Sequence, residues 1–295
     1  VRAAVYAQPG PPDVLVVQER PDPIPGPGER LFEVAYSGVN PVDAKIRSGA
    51  YPRDGTRFPA VPGVDFSGHD PDSGAPVFGM SWNGTAAERV AAGGQGVVPV
   101  PVGTDLADAA GMPAATLTAW QALFVHGGLQ GHHRVLIHAA AGGVGGYAVQ
   151  LARHKGAYII GTCRAANADY VRGLGANETV DYREVDFRHV VRDVDLVLDL
   201  VGGAVTNQSF DVLKYGGRLI SIVQPPDQDL AQAKGATAEY FSMQVVGAQL
   251  TQIAELVADG IVRPVDKKIM PLADIVEAHR MIETGATRGK IILEI

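Results

Sequence analysis

The chain has 295 residues, of which 46% are hydrophobic and 19% charged, and its formal net charge is −7. That length favours two domains, and so much apolar content against so little charge excludes a disordered chain. The acidic balance, with no block of Lys or Arg, gives no electrostatic footprint for nucleic acid, and the lone cysteine, Cys163, excludes an internal disulfide and a thiolate zinc cluster.

Taken in chain order, residues 1–105 carry short apolar runs (3–6, 15–17, 31–36 and 97–100) broken by dense Pro and Gly, an all-β pattern with irregular turns. No basic-then-apolar targeting pattern opens the chain, and one cysteine suits a reducing cytoplasm, so a cytoplasmic setting is expected. From residue 106 to 126 the pattern is helical, with Pro113 as an interruption. Strand and helix signals then alternate: strands at 134–139, 158–162, 178–181, 195–200 and 218–223, helices at 144–155, 168–174 and 206–213. The strands are rich in Val, Ile and Leu without polar alternation, which marks parallel strands covered on both faces. Repeated βα units imply a doubly wound α/β sheet. The apolar stretch 135–151 is crowded with Gly and contains His138 and Gln150, so it reads as buried core and no membrane association is expected. Two amphipathic helices (248–259, 272–284) and a strand (290–295) close the chain and are expected to return to the first domain. The expected division is 1–106, completed by 248–295, and 107–247.

The segment Ala140-Ala141-Gly142-Gly143-Val144-Gly145 follows a strand and opens a helix. That is the context in which backbone N–H groups at a helix N-terminus face a pyrophosphate. Gly142 lets backbone approach the phosphates, Gly145 lets the helix pack on the strand, and Ala140 replaces the first glycine of the strict motif. The second strand ends Gly161-Thr162-Cys163-Arg164, with no acid to bind ribose hydroxyls. A guanidinium at Arg164 suits the 2′-phosphate of NADPH, and Tyr182 is placed to add a hydroxyl. Arg164 also reads as an ordinary solvated residue, Asn167 as a helix N-cap, and Cys163 as a passive small residue.

Several segments together resemble the medium-chain dehydrogenase/reductase superfamily, and within it the zinc-independent quinone oxidoreductase and alkenal/enone reductase branch. They are Ser37-Gly38-Val39-Asn40-Pro41-Val42-Asp43, Pro62-Gly63-Val64-Asp65-Phe66-Ser67-Gly68, Leu117-Thr118-Ala119-Trp120, the glycine turn, Asp199-Leu200-Val201-Gly202-Gly203 and Arg288-Gly289-Lys290-Ile291. The resemblance implies a GroES-like β-rich catalytic domain plus a Rossmann domain, with the active site in the cleft between them. At the positions where zinc-dependent members place metal ligands this chain has Asn40, Val64 and Asp65, so no metal is expected. Only residues 69–76 separate Gly68 from Val77-Phe78-Gly79, where relatives carry a longer hairpin; the segment is either trimmed or the sequence omits a loop.

The implied activity is hydride transfer from NADPH to a quinone or an α,β-unsaturated carbonyl. By resemblance, Asn40 lies near the nicotinamide and Tyr51 lines the quinone pocket, with Lys45 a further polar candidate. Lys45 reads equally as a solvated residue and Asn40 as a turn-former before Pro41. Thr118, Thr162, Val201, Gly202 and Lys290 join Ala140, Gly142, Gly143, Val144, Gly145, Arg164 and Tyr182 as cofactor candidates. Tyr240 and Phe241 are candidates to close the pocket. Two other readings stand beside this one: an enoyl reductase acting on a polyketide or carrier-bound intermediate, and a catalytically silent NADP-binding protein. The resemblance also implies a homodimer.

Overall fold

The computed structural model describes residues 1–53 and 55–295. The chain divides into two units, Val1–Ala115 with Val245–Gly260 and Pro264–Ile295, and Thr116–Gln244 with Ile261–Arg263.

The first unit opens with strands β1 (Arg2–Val5), β2 (Val16–Glu19) and β3 (Glu29–Val39), followed by helix α1 (Pro41–Ser48). Strands β4 (Asp65–His69), β5 (Pro76–Met80), β6 (Arg89–Gly93) and β7 (Val97–Pro99) and helix α2 (Leu106–Ala110) follow. Helix α1 corrects the all-β expectation for this region. Pro41 occupies the first turn, where its missing N–H costs nothing, Asn40 and Asp43 form a reciprocal capping box, and Gly49 closes the helix at φ 83°. The Pro and Gly that suggest turns are here the two ends of a helix.

Helix α3 (Pro113–Trp120) runs into a π-helical stretch, Gln121–His126, so the interruption falls at 111–112, just ahead of Pro113. The second unit then alternates β8 (Arg134–Ile137), α4 (Gly143–Lys155), β9 (Tyr158–Cys163), α5 (Ala168–Leu174), β10 (Glu178–Asp181), α6 (Phe187–Val190), β11 (Val194–Asp199), α7 (Ala204–Gln208), β12 (Leu213–Ser221), α8 (Gln228–Ala233) and β13 (Thr237–Tyr240). The predicted helix over 206–213 is shorter and earlier, because β12 already starts at Leu213. Strand β13, exposed on most of its residues, carries no sequence signal of its own.

The six strands of this unit are all parallel, in the order β10-β9-β8-β11-β12-β13. Strand order therefore reverses between β8 and β11, and a doubly wound sheet binds ligands beyond the carboxyl ends of strands at such a switch point. Leu136, Ile160, Val180, Val197 and Leu219 form one buried cluster on this sheet. Each such side chain contributes about 1.5–3 kcal/mol on burial, so the sheet is a rigid base for the loops at its carboxyl edge.

The tail supplies α9 (Gly247–Ala258), β14 (Lys267–Pro271), α10 (Ile275–Glu283) and β15 (Lys290–Glu294). Strand β15 pairs antiparallel with β3, placing Ile291 opposite Val39. This is how a residue near the end of the chain comes to lie beside Asn40. The segment between β4 and β5 closes as a short hairpin, with His69 opposite Pro76 and the Asp70 N–H bonded to the Ala75 carbonyl at 3.0 Å.

Candidate functional site

In the second unit the chain leaves β8 through His138, whose N–H bonds the Leu198 carbonyl of β11 at 3.1 Å. Ala139 adopts φ 50°, a left-handed conformation unusual for a residue with a side chain. Its N–H is held by the Thr162 hydroxyl at 3.2 Å, and the Ala140 N–H by the Thr162 carbonyl at 2.9 Å. The turn then enters α4 through Gly142, an extended N-cap with no side-chain capping bond. No side chain covers the helix's leading N–H groups, which is what an anion needs there. A Cβ on Gly145 would stand 2.2 Å from the Ala139 carbonyl oxygen, so the close approach of helix to turn requires glycine. Ala140 is tolerated because Gly161 faces it: a Cβ there would come within 2.8 Å of the Ala140 methyl.

Thr162 is buried, and its hydroxyl is shared between Ala139 N–H and His138 Nδ1, so it shapes the turn from within. His138 Nε2 meets the Ser209 hydroxyl at 2.9 Å. Burial pushes the His138 ring down to about 4, so it is neutral at physiological pH.

Across the switch point, Asp199 at the end of β11 organises the second loop. It accepts the N–H groups of Val201 (3.0 Å) and Gly202 (2.9 Å) and the hydroxyls of Thr206 (2.6 Å) and Ser221 (3.1 Å). Gly202 and Gly203 take φ 82° and 63°, which favours glycine. Val201 is exposed, whereas Thr118 on α3 is buried.

Beyond β9, Arg164 Nε donates to the Tyr182 hydroxyl at 3.0 Å. The structure thus joins two candidates that lie far apart in sequence. It adds Asp181, a carboxylate in the same corner that sequence reasoning did not assign; it accepts the Ala165 N–H at 2.9 Å and the Arg183 N–H at 3.0 Å. Asn167 makes no side-chain capping bond. Burial, with Asp181 adding to it, raises the Cys163 thiol, which therefore stays protonated.

In the first unit Asn40 caps α1. Its Nδ2 donates to Asp65 Oδ2 at 2.9 Å and its Oδ1 accepts from Lys290 Nζ at 2.5 Å. Lys290 Nζ also stands 3.6 Å from Asp65 Oδ2, and Asp65 Oδ1 takes the Ala114 N–H at 2.9 Å. All three side chains are buried. Burial raises the Asp65 carboxyl, and the Lys290 ammonium and the Asn40 and Ala114 N–H groups pull it back. Lys290, named as a cofactor ligand, is engaged in this internal network. The donor set does not suit zinc: one position is the apolar Val64, Asn40 offers a neutral amide, and a buried ammonium already neutralises Asp65. Lys45 is exposed on α1 and Tyr51 is 41% exposed, its N–H bonded to the Lys45 carbonyl at 3.0 Å.

Sequence reasoning quoted Asp43, Asp65 and Asp199 without roles. The available signal was an acid flanked by apolar residues or glycine, which is costly to bury unless it is bonded. Tyr240 is half-exposed on β13, and Phe241 stacks on His126 with ring centroids 4.2 Å apart.

A family model for zinc-binding dehydrogenases matches residues 174–293. The mitochondrial NAD(P)H oxidoreductase RTN4IP1 of Danio rerio is 30% identical, over 91% of this chain and 84% of that protein. The chloroplastic quinone-oxidoreductase QR1 of Triphysaria versicolor is 30% identical, over 94% of this chain and 92% of that one. Among solved structures, the quinone oxidoreductase of Escherichia coli complexed with NADPH superposes with a TM-score of 0.91 at 26% identity, covering 100% of both chains.

Proposed function

Because the chain belongs to the medium-chain dehydrogenase/reductase superfamily, in its quinone oxidoreductase branch, we propose that it is an NADPH-dependent oxidoreductase that reduces a quinone or an α,β-unsaturated carbonyl without a metal. The observation that carries this reading is the uncapped N-terminus of α4 at the reversal of strand order. Gly142, Gly143 and Val144 would hold the pyrophosphate, with Ala140 and Gly145 setting the shape of the turn. Arg164 and Tyr182 would hold the 2′-phosphate. Thr118, Val201 and Gly202 would line the nicotinamide end, and Thr162 would act through the turn. Bound there, NADPH supplies the hydride.

The chain's own task is to orient the acceptor and to stabilise charge on its carbonyl oxygen. Asn40 has one Nδ2 hydrogen committed to Asp65 and a second to give. Lys45 and Tyr51 carry further donors, and the Tyr51 N–H bonds the Lys45 carbonyl at 3.0 Å. Lys290 would hold the Asn40 amide in the orientation that offers that hydrogen. The same ammonium supports metal-free chemistry, since a positive charge already sits on the Asn40–Asp65 pair.

The test is NADPH oxidation, followed by absorbance, with a panel of quinones, enones and enoyl thioesters, in enzyme treated with a chelator. Turnover of quinones or enones by the chelated enzyme is expected. Nucleotide binding with no turnover of any acceptor would leave a silent NADP-binding protein, and exclusive turnover of thioesters would leave the enoyl reductase. A cytoplasmic setting remains part of the proposal; among the described residues no helix is long and apolar enough to cross a membrane. So does the homodimer, supported by β13, which ends the parallel sheet and pairs only with β12 among the described residues. Light scattering is expected to give twice the 30.9 kDa of one chain.

A further inference from the structure

His138 is a buried titratable side chain of the second unit that hydride transfer itself does not use. It stands where β8 ends and the glycine turn begins, and its ring packs edge-on against Phe187 of α6, with centroids 4.9 Å apart. The next residue, Ala139, takes the left-handed φ of 50°, a conformation that a residue with a side chain adopts at a cost. Three residues further on, at Gly142, the uncapped α4 begins.

Both ring nitrogens are engaged, and their partners fix which one carries the proton. Ser209 Oγ lies 2.7 Å from the Val205 carbonyl, which can only accept, so the single Ser209 hydroxyl hydrogen is committed there. The same oxygen then faces His138 Nε2 at 2.9 Å with lone pairs, and that bond needs a hydrogen on Nε2. Burial lowers the ring to about 4, against the pull of Asp199, so at neutral pH it holds one hydrogen and Nδ1 is bare. A bare Nδ1 accepts from the Thr162 hydroxyl at 3.2 Å, and the Thr162 oxygen accepts the Ala139 N–H, also at 3.2 Å. Four bonds therefore run in one direction, from the Ala139 N–H through Thr162, His138 and Ser209 to the Val205 carbonyl in α7. Bonds aligned in this way polarise and strengthen one another. The opposite tautomer breaks the series. It would leave the buried Thr162 hydroxyl hydrogen without an acceptor and draw the Ser209 hydrogen away from Val205.

We propose that His138 is a positioning residue for the cofactor: with its proton on Nε2 it orients the Thr162 hydroxyl, which holds the glycine turn in shape before the nucleotide arrives, and Ser209 anchors the ring to α7. The inference rests on the turn as the pyrophosphate site and not on which acceptor is reduced.

Two measurements test this, and neither needs turnover. The first is the nitrogen-15 spectrum of the nucleotide-free protein labelled in its histidines. The His138 signals, assigned by their loss in either variant below or by their shift in Thr162→Val, are expected to show a bare Nδ1 and a protonated Nε2 at neutral pH. A proton on Nδ1 overturns the proposal. The second is the binding of 2′-phospho-ADP-ribose, which carries the phosphates of NADPH without the nicotinamide, read by calorimetry. His138→Asn puts an amide oxygen near the Nδ1 position, where it can still accept from Thr162. His138→Gln puts an amide nitrogen near the Nε2 position, which keeps the Ser209 contact but leaves the Thr162 hydroxyl without its acceptor. The Gln variant is expected to bind about tenfold more weakly, the scale of one buried group left unsatisfied, and the Asn variant within about twofold of the parent. Thr162→Val is expected to match His138→Gln, and the two together to cost little more than either alone. Equal losses in the Asn and Gln variants, or additive losses in the double variant, would mean that the ring only fills space, and would overturn the proposal. Absence of binding in the parent protein would instead strike the pyrophosphate reading itself, and with it the positioning role.

Discussion

Lys290 illustrates how much one buried charge decides. It is 4% exposed and lies against Asn40 and Asp65, the latter fully buried. Removing one partner of a buried pair leaves an uncompensated charge, which costs about 3–5 kcal/mol. Lys290→Met is therefore expected to lose stability on that scale in urea unfolding, and Lys290→Met with Asp65→Asn to recover most of it. An additive double variant would mean that the two do not interact. In the second unit, Arg164 is partly exposed and donates to the Tyr182 hydroxyl. Arg164→Ala is expected to weaken NADPH binding about tenfold or more while leaving NADH nearly unchanged. Equal losses for the two nucleotides would remove the 2′-phosphate role.

Among elements, the contact of α4 with the turn after β8 leaves no room for a side chain. A methyl at Gly145 collides with backbone, not with a side chain that could turn aside. Gly145→Ala is expected to cost about 1–3 kcal/mol and to weaken NADPH binding as the helix is pushed from the phosphates. Gly94→Ala is the control: nothing lies within 4 Å of its would-be Cβ, and its melting temperature should match the parent's. Helix α1 shows why elements were harder to read than motifs. Its Pro41 and Gly49 carry the local signature of turns, and only the Asn40–Asp43 capping box distinguishes a helix start. Strand β13 lacks even that, because an edge strand exposed on most of its residues needs no apolar pattern.

For the whole molecule, the titrating groups set the response to acid. Burial lowers His138 to about 4, and burial with Arg47 beside it lowers His279 to about 4, from an ordinary 6.5. The unfolded chain takes up these protons below pH 6.5 and the folded chain does not, so their contribution is intact above 6.5 and is lost between 6.5 and 4. Asp43 works the other way. Burial pushes it up to about 7 from 3.8, so its contribution is full at low pH and is lost as pH rises through about 7. Asp65, which burial also raises, works in the same direction as Asp43, and His133, which burial lowers, adds to the two histidines. The contribution of His279 is isolated by substitution: between pH 6.5 and 4 the urea midpoint of His279→Phe is expected to rise relative to that of the parent, and a constant difference between the two would show that His279 ionises normally in the fold.

The sequence by itself determined what local chemistry dictates. The glycine turn, Arg164 in place of an acid, and Asn40 and Val64 at the metal positions were all legible, because each depends on residue type within a short span. The parallel sheet was legible too, since strands covered on both faces must be apolar throughout. What only the tertiary structure decided depends on partners distant in the chain. Lys290 meets Asn40 through the pairing of β15 with β3. Gly161 makes room for Ala140, Tyr182 meets Arg164 across neighbouring strands, and Asp43 keeps a buried oxygen without a hydrogen-bond partner. Whether a buried polar group is satisfied, and by which residue, is a property of packing, and no window of sequence contains both partners.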